Sequence, residues 1–125
     1  MIEVIIPTQI EFEEYKDELK QLYLKNQDKI CDPNSFEFIC NKTFFYVFVK
    51  NKQLIGAIYY FVENSKLYLN AFSNRKCFSE NLDCLKISLS WFEPPIYAEA
   101  QNRASALCLL RVGFRRVREN LFVYG

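Results

Sequence analysis

The chain has 125 residues, of which 50% are hydrophobic and 25% are charged, so it has the composition of one globular domain. This balance excludes intrinsic disorder, and only three Gly and four Pro exclude fibrous and low-complexity architectures. The net charge of +1 argues against a protein that binds polyanions over its whole surface, so we expect no nucleic-acid partner.

Charge is distributed unevenly along the chain. Residues 1–63 carry 7 Lys and 10 acidic residues, whereas residues 64–125 carry 3 Lys, 6 Arg and 5 acidic residues. Because guanidinium groups suit phosphate well, we expect any phosphorylated ligand to lie against the second half. The alternative is that Arg115, Arg116 and Arg118 form a solvated strand face.

Cysteine and histidine usage restricts the chemistry further. The five Cys include no CxxC pair and the chain has no His, so we expect no metal site and free thiols in a reducing compartment. The missing His excludes Ser–His and Cys–His catalysis as they are usually built. No apolar run approaches the roughly 18 residues of a membrane span, and no basic region precedes the first strand-like segment. We therefore expect a cytoplasmic protein with no membrane partner.

The first half of the chain predicts a strand, two helices and a meander. Residues 2–6 predict a short strand, residues 11–26 have apolar side chains at helical spacing, and residues 35–40 predict a second helix. Residues 43–50, 54–63 and 66–72 predict three antiparallel strands joined by tight turns. Gly56 indicates a bulge or a close backbone approach within the second of them.

The second half predicts alternating helices and strands. Ser79 is a suitable N-cap for a helix that ends near residue 91, and residues 96–100 predict a strand. Asn102 caps a further helix with Gly113 as its C-terminal stop, and residues 114–118 and 121–124 predict two closing strands. The last strand is apolar and would provide an exposed edge or a dimer contact, so we expect a monomer or a homodimer.

The order β-α-α-β-β-β-α-β-α-β-β predicts one α+β domain over residues 1–125, with a sheet that is antiparallel first and parallel at its centre. This order resembles the GNAT family of N-acetyltransferases. Residues 97–105 (YAEAQNRAS) and 109–114 (LLRVGF) are similar to the family's strand–Asn–helix–Gly-Phe ending. The resemblance implies acetyl-CoA as co-substrate and an amine as acceptor, with Asn102 and Ser105 on the cofactor side.

The defining motif of the family is a strand end, then Arg or Gln, two residues, Gly, one residue, and Gly or Ala. Its backbone N–H groups hold the pyrophosphate of acetyl-CoA at a helix N-terminus. By resemblance, the cofactor-binding residues here are Phe72, Ser73, Arg75, Lys76, Cys77, Phe78 and Ser79. Phe78 and Glu80 replace the small residues, so this loop either binds CoA in an altered form or has lost it.

Attack of an amine on a thioester needs an acceptor for the amine proton, an oxyanion donor and an acid for the leaving thiolate. Glu99, at the end of a central strand, is the first carboxylate candidate, and Glu63 is the second. Many family members place a Tyr four residues before the Gly-Phe pair, where this chain has Leu109, so Tyr97 is the remaining phenol candidate. The alternatives are a solvated strand end for Glu99 and a core position for Tyr97.

Two functions therefore remain open. One is an acyl-CoA-dependent N-acetyltransferase whose acceptor pocket, by resemblance, comes from residues 8–42 and the closing strands. The other is a catalytically inactive GNAT-fold module that binds a protein or a small ligand. Binding of CoA distinguishes the two functions.

Overall fold

The computed structural model describes residues 1–30, 32–74 and 78–125. Its elements, in chain order, are β1 (Ile2–Ile5), α1 (Phe12–Ile30), α2 (Phe36–Lys42), β2 (Phe44–Lys50), β3 (Gln53–Glu63), β4 (Lys66–Ser73), α3 (Phe78–Leu89), β5 (Ile96–Glu99), α4 (Arg103–Arg111), β6 (Arg115–Arg118) and β7 (Leu121–Tyr124). The α+β class and the predicted order of elements are confirmed. Within the described residues, no helix has both the length and the apolar character needed to cross a bilayer.

The seven strands form one sheet in the order β1-β2-β3-β4-β5-β7-β6. Only the β4–β5 pair is parallel, and the other neighbouring pairs are antiparallel. The two meander turns, Asn51-Lys52 and Asn64-Ser65, have positive φ at both residues. This is the type I′ geometry, whose twist matches the flanking strands of a two-residue hairpin.

Each face of the sheet carries its own core. Side chains of β3 such as Ile58 and Tyr60 pack with α3 and α4 on one face. Side chains such as Ala57 and Tyr59 pack with α1 and α2 on the other. Successive strand residues point to opposite faces, so the long apolar run of β3 serves both cores at once.

A gap opens between β4 and β5 near the middle of the sheet. The two strands pair over three residues only, from Leu67 with Ile96 to Leu69 with Ala98. β4 then continues to Ser73 while β5 ends at Glu99, so the last part of β4 has no neighbour on that side. This gap exposes backbone groups of β4 that a longer β5 would have paired.

Gly56 lies opposite this part of β4. A Cβ added to Gly56 would come within 2.4 Å of the Phe72 carbonyl oxygen, and the β2–β3 register shifts beside it, between Phe48 and Val49. The predicted bulge and close approach are therefore both confirmed, and a side chain at this position would push β4 out of place.

Two predicted helix boundaries are wrong. α1 does not end near residue 26, because the Asn26 amide bonds back to the Leu22 carbonyl and Ile30 packs against the core. Ser79 is not an N-cap, because α3 begins at Phe78 and places Ser79 inside the first turn. The Ser79 hydroxyl instead donates to the Glu80 carboxylate at 3.1 Å.

The predicted exposed edge at residues 121–124 is also wrong. β7 lies between β5 and β6, and its Phe122 and Val123 side chains are buried. The edge strand at this end of the sheet is β6, whose residues are all exposed and mostly arginine. A charged edge discourages pairing with another sheet, so the fold protects its apolar last strand with a charged one.

Candidate active site

The gap between β4 and β5 is part of a first cavity, which α3 and α4 close on one face of the sheet. It encloses about 800 Å³, open solvent included. Its wall includes Ala71 and Ser73 of β4, Leu85 of α3, and Ser105 and Cys108 of α4. The first cavity is therefore an elongated slot with one polar backbone edge and otherwise mainly apolar walls.

The backbone of β4 presents hydrogen-bond donors to this slot. The Asn74 N–H donates to the Ile55 carbonyl of β3 at 2.8 Å, so alternation along the strand turns the Phe72 N–H toward β3 as well. The same alternation turns the N–H groups of Ala71 and Ser73 toward the gap. The Ala71 N–H already donates to the Asn70 side-chain oxygen at 3.1 Å.

The N-terminus of α3 lies at the end of this slot beyond β4. The Asn81 amide donates to the Ser73 hydroxyl at 2.8 Å and ties the first turn of α3 to the end of β4. The pKa of Glu80 is lowered, first by its own backbone N–H and then by the Ser79 hydroxyl. A carboxylate of the chain itself thus uses donors that a phosphate would need at this helix end.

The start of α4 forms the opposite wall. The Asn102 side chain accepts from the Ser105 N–H at 2.8 Å, which confirms the predicted N-cap. Leu109 is buried and lines the slot, so the position that the resemblance assigns to a phenol is apolar here. Burial raises the pKa of the neighbouring Cys108 thiol, and Arg111 partly offsets this.

A second cavity adjoins the first on the α1 and α2 face. It encloses about 1320 Å³ with open solvent included, and Asn70, Leu69 and Glu99 belong to the walls of both cavities. Its remaining wall includes Asp32, which precedes α2, Lys42 at the end of α2, and the aromatic residues Tyr59, Phe61 and Tyr68. A molecule placed in the second cavity therefore meets aromatic surfaces and both signs of charge.

A buried hydrogen-bond network supports this second cavity. Tyr59 donates to the Asp32 carboxylate at 2.5 Å and accepts from the Asn70 amide at 3.0 Å. The other Asp32 oxygen accepts from the Asn34 N–H at 2.9 Å. Burial, followed by the bond to Asp32, raises the pKa of Tyr59 far above its usual range. The Tyr59 phenol therefore stays protonated and acts as a donor.

The predicted catalytic residues separate into two groups. Glu99 is exposed and lies at the boundary of the two cavities, and Glu63 lines the second. Tyr97 lines neither cavity, because it packs on Tyr68 with ring centroids 5.7 Å apart and lies under the Lys66 ammonium. The structure thus brings both carboxylates toward the cavities and places the phenol elsewhere.

The predicted cofactor-binding residues are only partly described. Phe72, Ser73 and Ser105 line the first cavity, and Asn102 caps α4 next to it. Arg75, Lys76 and Cys77 lie outside the described residues. Ser79 and the backbone of Phe78 open α3.

Sequence reasoning missed the second-cavity residues Asp32, Tyr59 and Asn70. Asp32 lies in a stretch that the pattern predicts only as a polar connection, and Tyr59 and Asn70 lie in strands that read as sheet core. The expected acceptor region of residues 8–42 contributes through Asp32 and its neighbours, whereas no residue of β6 or β7 lines this cavity. The signal that could have indicated this cavity was Asp32, an acidic residue in the connection between α1 and α2.

Comparison with known proteins supports the fold. No protein-family model and no curated protein sequence matches this chain. Among solved structures, the chain is similar to an N-acetyltransferase from Staphylococcus aureus Mu50, with a TM-score of 0.72 and 16% sequence identity. The match covers 99% of this chain and 97% of the other, so the two share one fold from end to end.

Proposed function

We propose that this chain is an acyl-CoA-dependent N-acetyltransferase that moves an acetyl group from the thioester to an amine. The observation that carries the proposal is the early end of β5, which leaves a slot beside β4 with backbone donors along one edge. A fold shared with an N-acetyltransferase adds support. Fold alone does not specify chemistry, so the proposal depends on this slot.

The slot suits a long and narrow ligand such as the pantetheine arm of acetyl-CoA. Amide groups of such an arm pair with an unpaired strand edge as a neighbouring strand would. The cleft-facing N–H of Ser73 would polarise the thioester carbonyl and stabilise the negative charge that develops as the amine attacks. Arg75 and Lys76, which lie between β4 and α3 in the sequence, supply positive charge and would contact the phosphates.

We assign to Glu99 the role of accepting the proton of the attacking amine. The reaction forms a bond between the amine nitrogen and the acetyl carbon, breaks the bond from that carbon to sulfur, and releases a thiol. Glu99 lines both cavities, so an amine in the second cavity would reach the thioester beside this carboxylate, directly or through water. Because Glu99 takes the proton of the amine and Leu109 has no acidic group, the proton for the thiolate comes from solvent.

Calorimetric titration of acetyl-CoA and CoA tests the proposal at the level of binding. We expect micromolar binding to the wild type and weaker binding to Arg75→Ala, because a phosphate contact is lost. A thiol-release assay with a panel of primary amines then tests transfer. Absence of binding up to millimolar acetyl-CoA would contradict the proposal.

A second candidate, an inactive binding module of the same fold, is favoured by one observation. The Glu80 carboxylate occupies donors at the N-terminus of α3, where a pyrophosphate would otherwise bind. This candidate predicts that the folded wild-type protein releases no thiol with any amine. The same calorimetric and thiol-release experiments therefore separate the two functions.

A further inference from the structure

Among the charged groups that the structure describes, Asp32 is unusual because its carboxylate is buried and no described cation pairs with it. Its exposed fraction is 8%, and it is the only carboxylate among the buried residues that the structure describes. No described lysine or arginine lies within ion-pair distance of it. A buried carboxylate is normally paired with a cation. The groups that donate to Asp32, the Tyr59 hydroxyl and the Asn34 N–H, are hydrogen-bond donors without a positive charge.

The surroundings of Asp32 indicate that a bound ligand could supply a cation to pair with it. Asp32 lines the second cavity, so a ligand there reaches it without rearrangement of the fold. Tyr59, Phe61 and Tyr68 line the same cavity and form a continuous aromatic row, with neighbouring ring centroids 6.2 and 5.7 Å apart. Aromatic faces attract organic cations, and Glu63 adds a second carboxylate to this wall.

We propose that the second cavity takes an acceptor with two positively charged nitrogens, a small diamine, whose non-reacting ammonium pairs with Asp32 while the reacting amine lies at Glu99. This inference rests on the proposed function, because it identifies the acceptor of that reaction. Asp32 is in this account a specificity residue and takes no part in bond formation. Tyr59 is a positioning residue, because its hydroxyl holds the Asp32 carboxylate at the cavity wall.

The decisive experiment compares amines that differ only in their second group. With acetyl-CoA as donor, thiol release is measured for 1,4-diaminobutane, 1-aminobutane and 4-aminobutyrate at one ionic strength. We expect kcat/KM for the diamine to exceed that of the monoamine by about tenfold or more, with the amino acid lowest, because a charge-assisted pair is gained, absent or replaced by repulsion. Equal values for the diamine and the monoamine would overturn the inference.

Variants of cavity residues test whether the preference for the diamine arises at the wall of the second cavity. We expect Asp32→Asn to lower the ratio of kcat/KM for the diamine to that for the monoamine about tenfold, mainly through a higher KM for the diamine. Asp17→Asn, an exposed change of the same type on α1, is the matched control. If Asp32→Asn does not fold, Glu63→Gln at the same wall is expected to reduce the preference two- to threefold. A preference that persists in the folded variant under test would overturn the inference.

Binding of the diamine alone separates this inference from the proposed function. Calorimetry is performed with 1,4-diaminobutane on wild type and Asp32→Asn, without a thioester. Binding that requires Asp32, in a protein that acetylates nothing, would support the cavity assignment and refute the transferase. Acetylation of monoamines and diamines at equal rates, without diamine binding, would support the transferase and refute the diamine site.

Discussion

The two cavities share a boundary at Glu99 but are built by different means. The first is a slot where strand pairing stops, and its polar groups are backbone N–H groups of β4 such as that of Ser73. The second is a pocket of side chains, with a carboxylate at Asp32 and an aromatic row beside it. Under the proposed function, the backbone of the fold would provide a general site and its side chains a selective one.

This division has a consequence for how each cavity responds to mutation. Apart from substitution by proline, a side-chain change does not remove a backbone donor. We therefore expect the first cavity to respond mainly to changes in the geometry of β3 and β4 or in the charge at the end of α3. We expect the second cavity to lose the proposed selectivity when one carboxylate is neutralised. We expect changes at Glu99, on the shared boundary, to affect the proposed reaction.

The largest effect is expected at this boundary. Glu99→Gln removes the group that takes the amine proton, so we expect kcat to fall by about 10²-fold or more while acetyl-CoA binding stays within about twofold. Steady-state thiol release and calorimetry measure the two quantities. Glu119→Gln, an exposed change in the turn after β6, serves as the control. A Glu99→Gln variant with full activity would remove this residue from the mechanism.

The next effect separates backbone geometry from side-chain chemistry. Gly56→Ala places a Cβ within 2.4 Å of the Phe72 carbonyl oxygen, and we expect it to destabilise the fold by about 1–3 kcal/mol. Urea unfolding followed by circular dichroism measures the loss. We also expect weaker acetyl-CoA binding, because β4 moves. Stability equal to the wild type would show that this approach is not tight in solution.

A smaller effect concerns the end of α3. Glu80→Gln removes the negative charge that competes with a phosphate for donors at this helix end. We expect acetyl-CoA to bind a few-fold more tightly, with the difference shrinking at high salt. Asp83→Asn, exposed and further along the same helix, is the control for net charge. Weaker binding in Glu80→Gln would place the phosphates elsewhere.

The smallest effect is expected at Ser65 in the second meander turn, a residue that lines neither cavity. Ser65 has φ of 64° in a type I′ turn, a conformation that glycine adopts at lower cost than serine. We expect Ser65→Gly to stabilise the fold by about 0.5–1 kcal/mol and to leave binding unchanged. Thermal unfolding provides the measurement, and a lower melting temperature would contradict the turn assignment.

The sequence predicts the sheet better than the site because the two depend on different ranges of interaction. Alternating apolar residues and two-residue turns specify the meander locally, which is why β2, β3 and β4 start and end within one residue of the prediction. Gly56 could also be interpreted from sequence, since glycine in a strand has few causes. The boundary of α1 and the position of the last strand depend on tertiary packing, and both were wrong.

The second cavity could not be predicted from local sequence patterns, because it too depends on tertiary packing. The Asp32 carboxylate meets the Tyr59 hydroxyl across 27 positions of the sequence, and no spacing rule connects them. The positions of Glu99 and Glu63 near the cavities could be predicted from the sequence, because strand ends of a mixed sheet are recognisable. Tyr97 was named for its phenol, but its register opposite Tyr68 places it in the paired part of β4 and β5, outside both cavities.

The central claim is that an acyl-CoA thioester occupies the first cavity, and the alkylation rates of two cysteines test it directly. Burial raises the pKa of Cys40 to about 12 and also raises that of Cys108, so both thiols react slowly and faster as the pH rises toward 9. Cys108 lines the first cavity, whereas Cys40, on α2, lines neither cavity. With acetyl-CoA at ten times its Kd, we predict that alkylation of Cys108 slows about tenfold while that of Cys40 is unchanged. Equal rates at Cys108 with and without saturating acetyl-CoA would contradict the account.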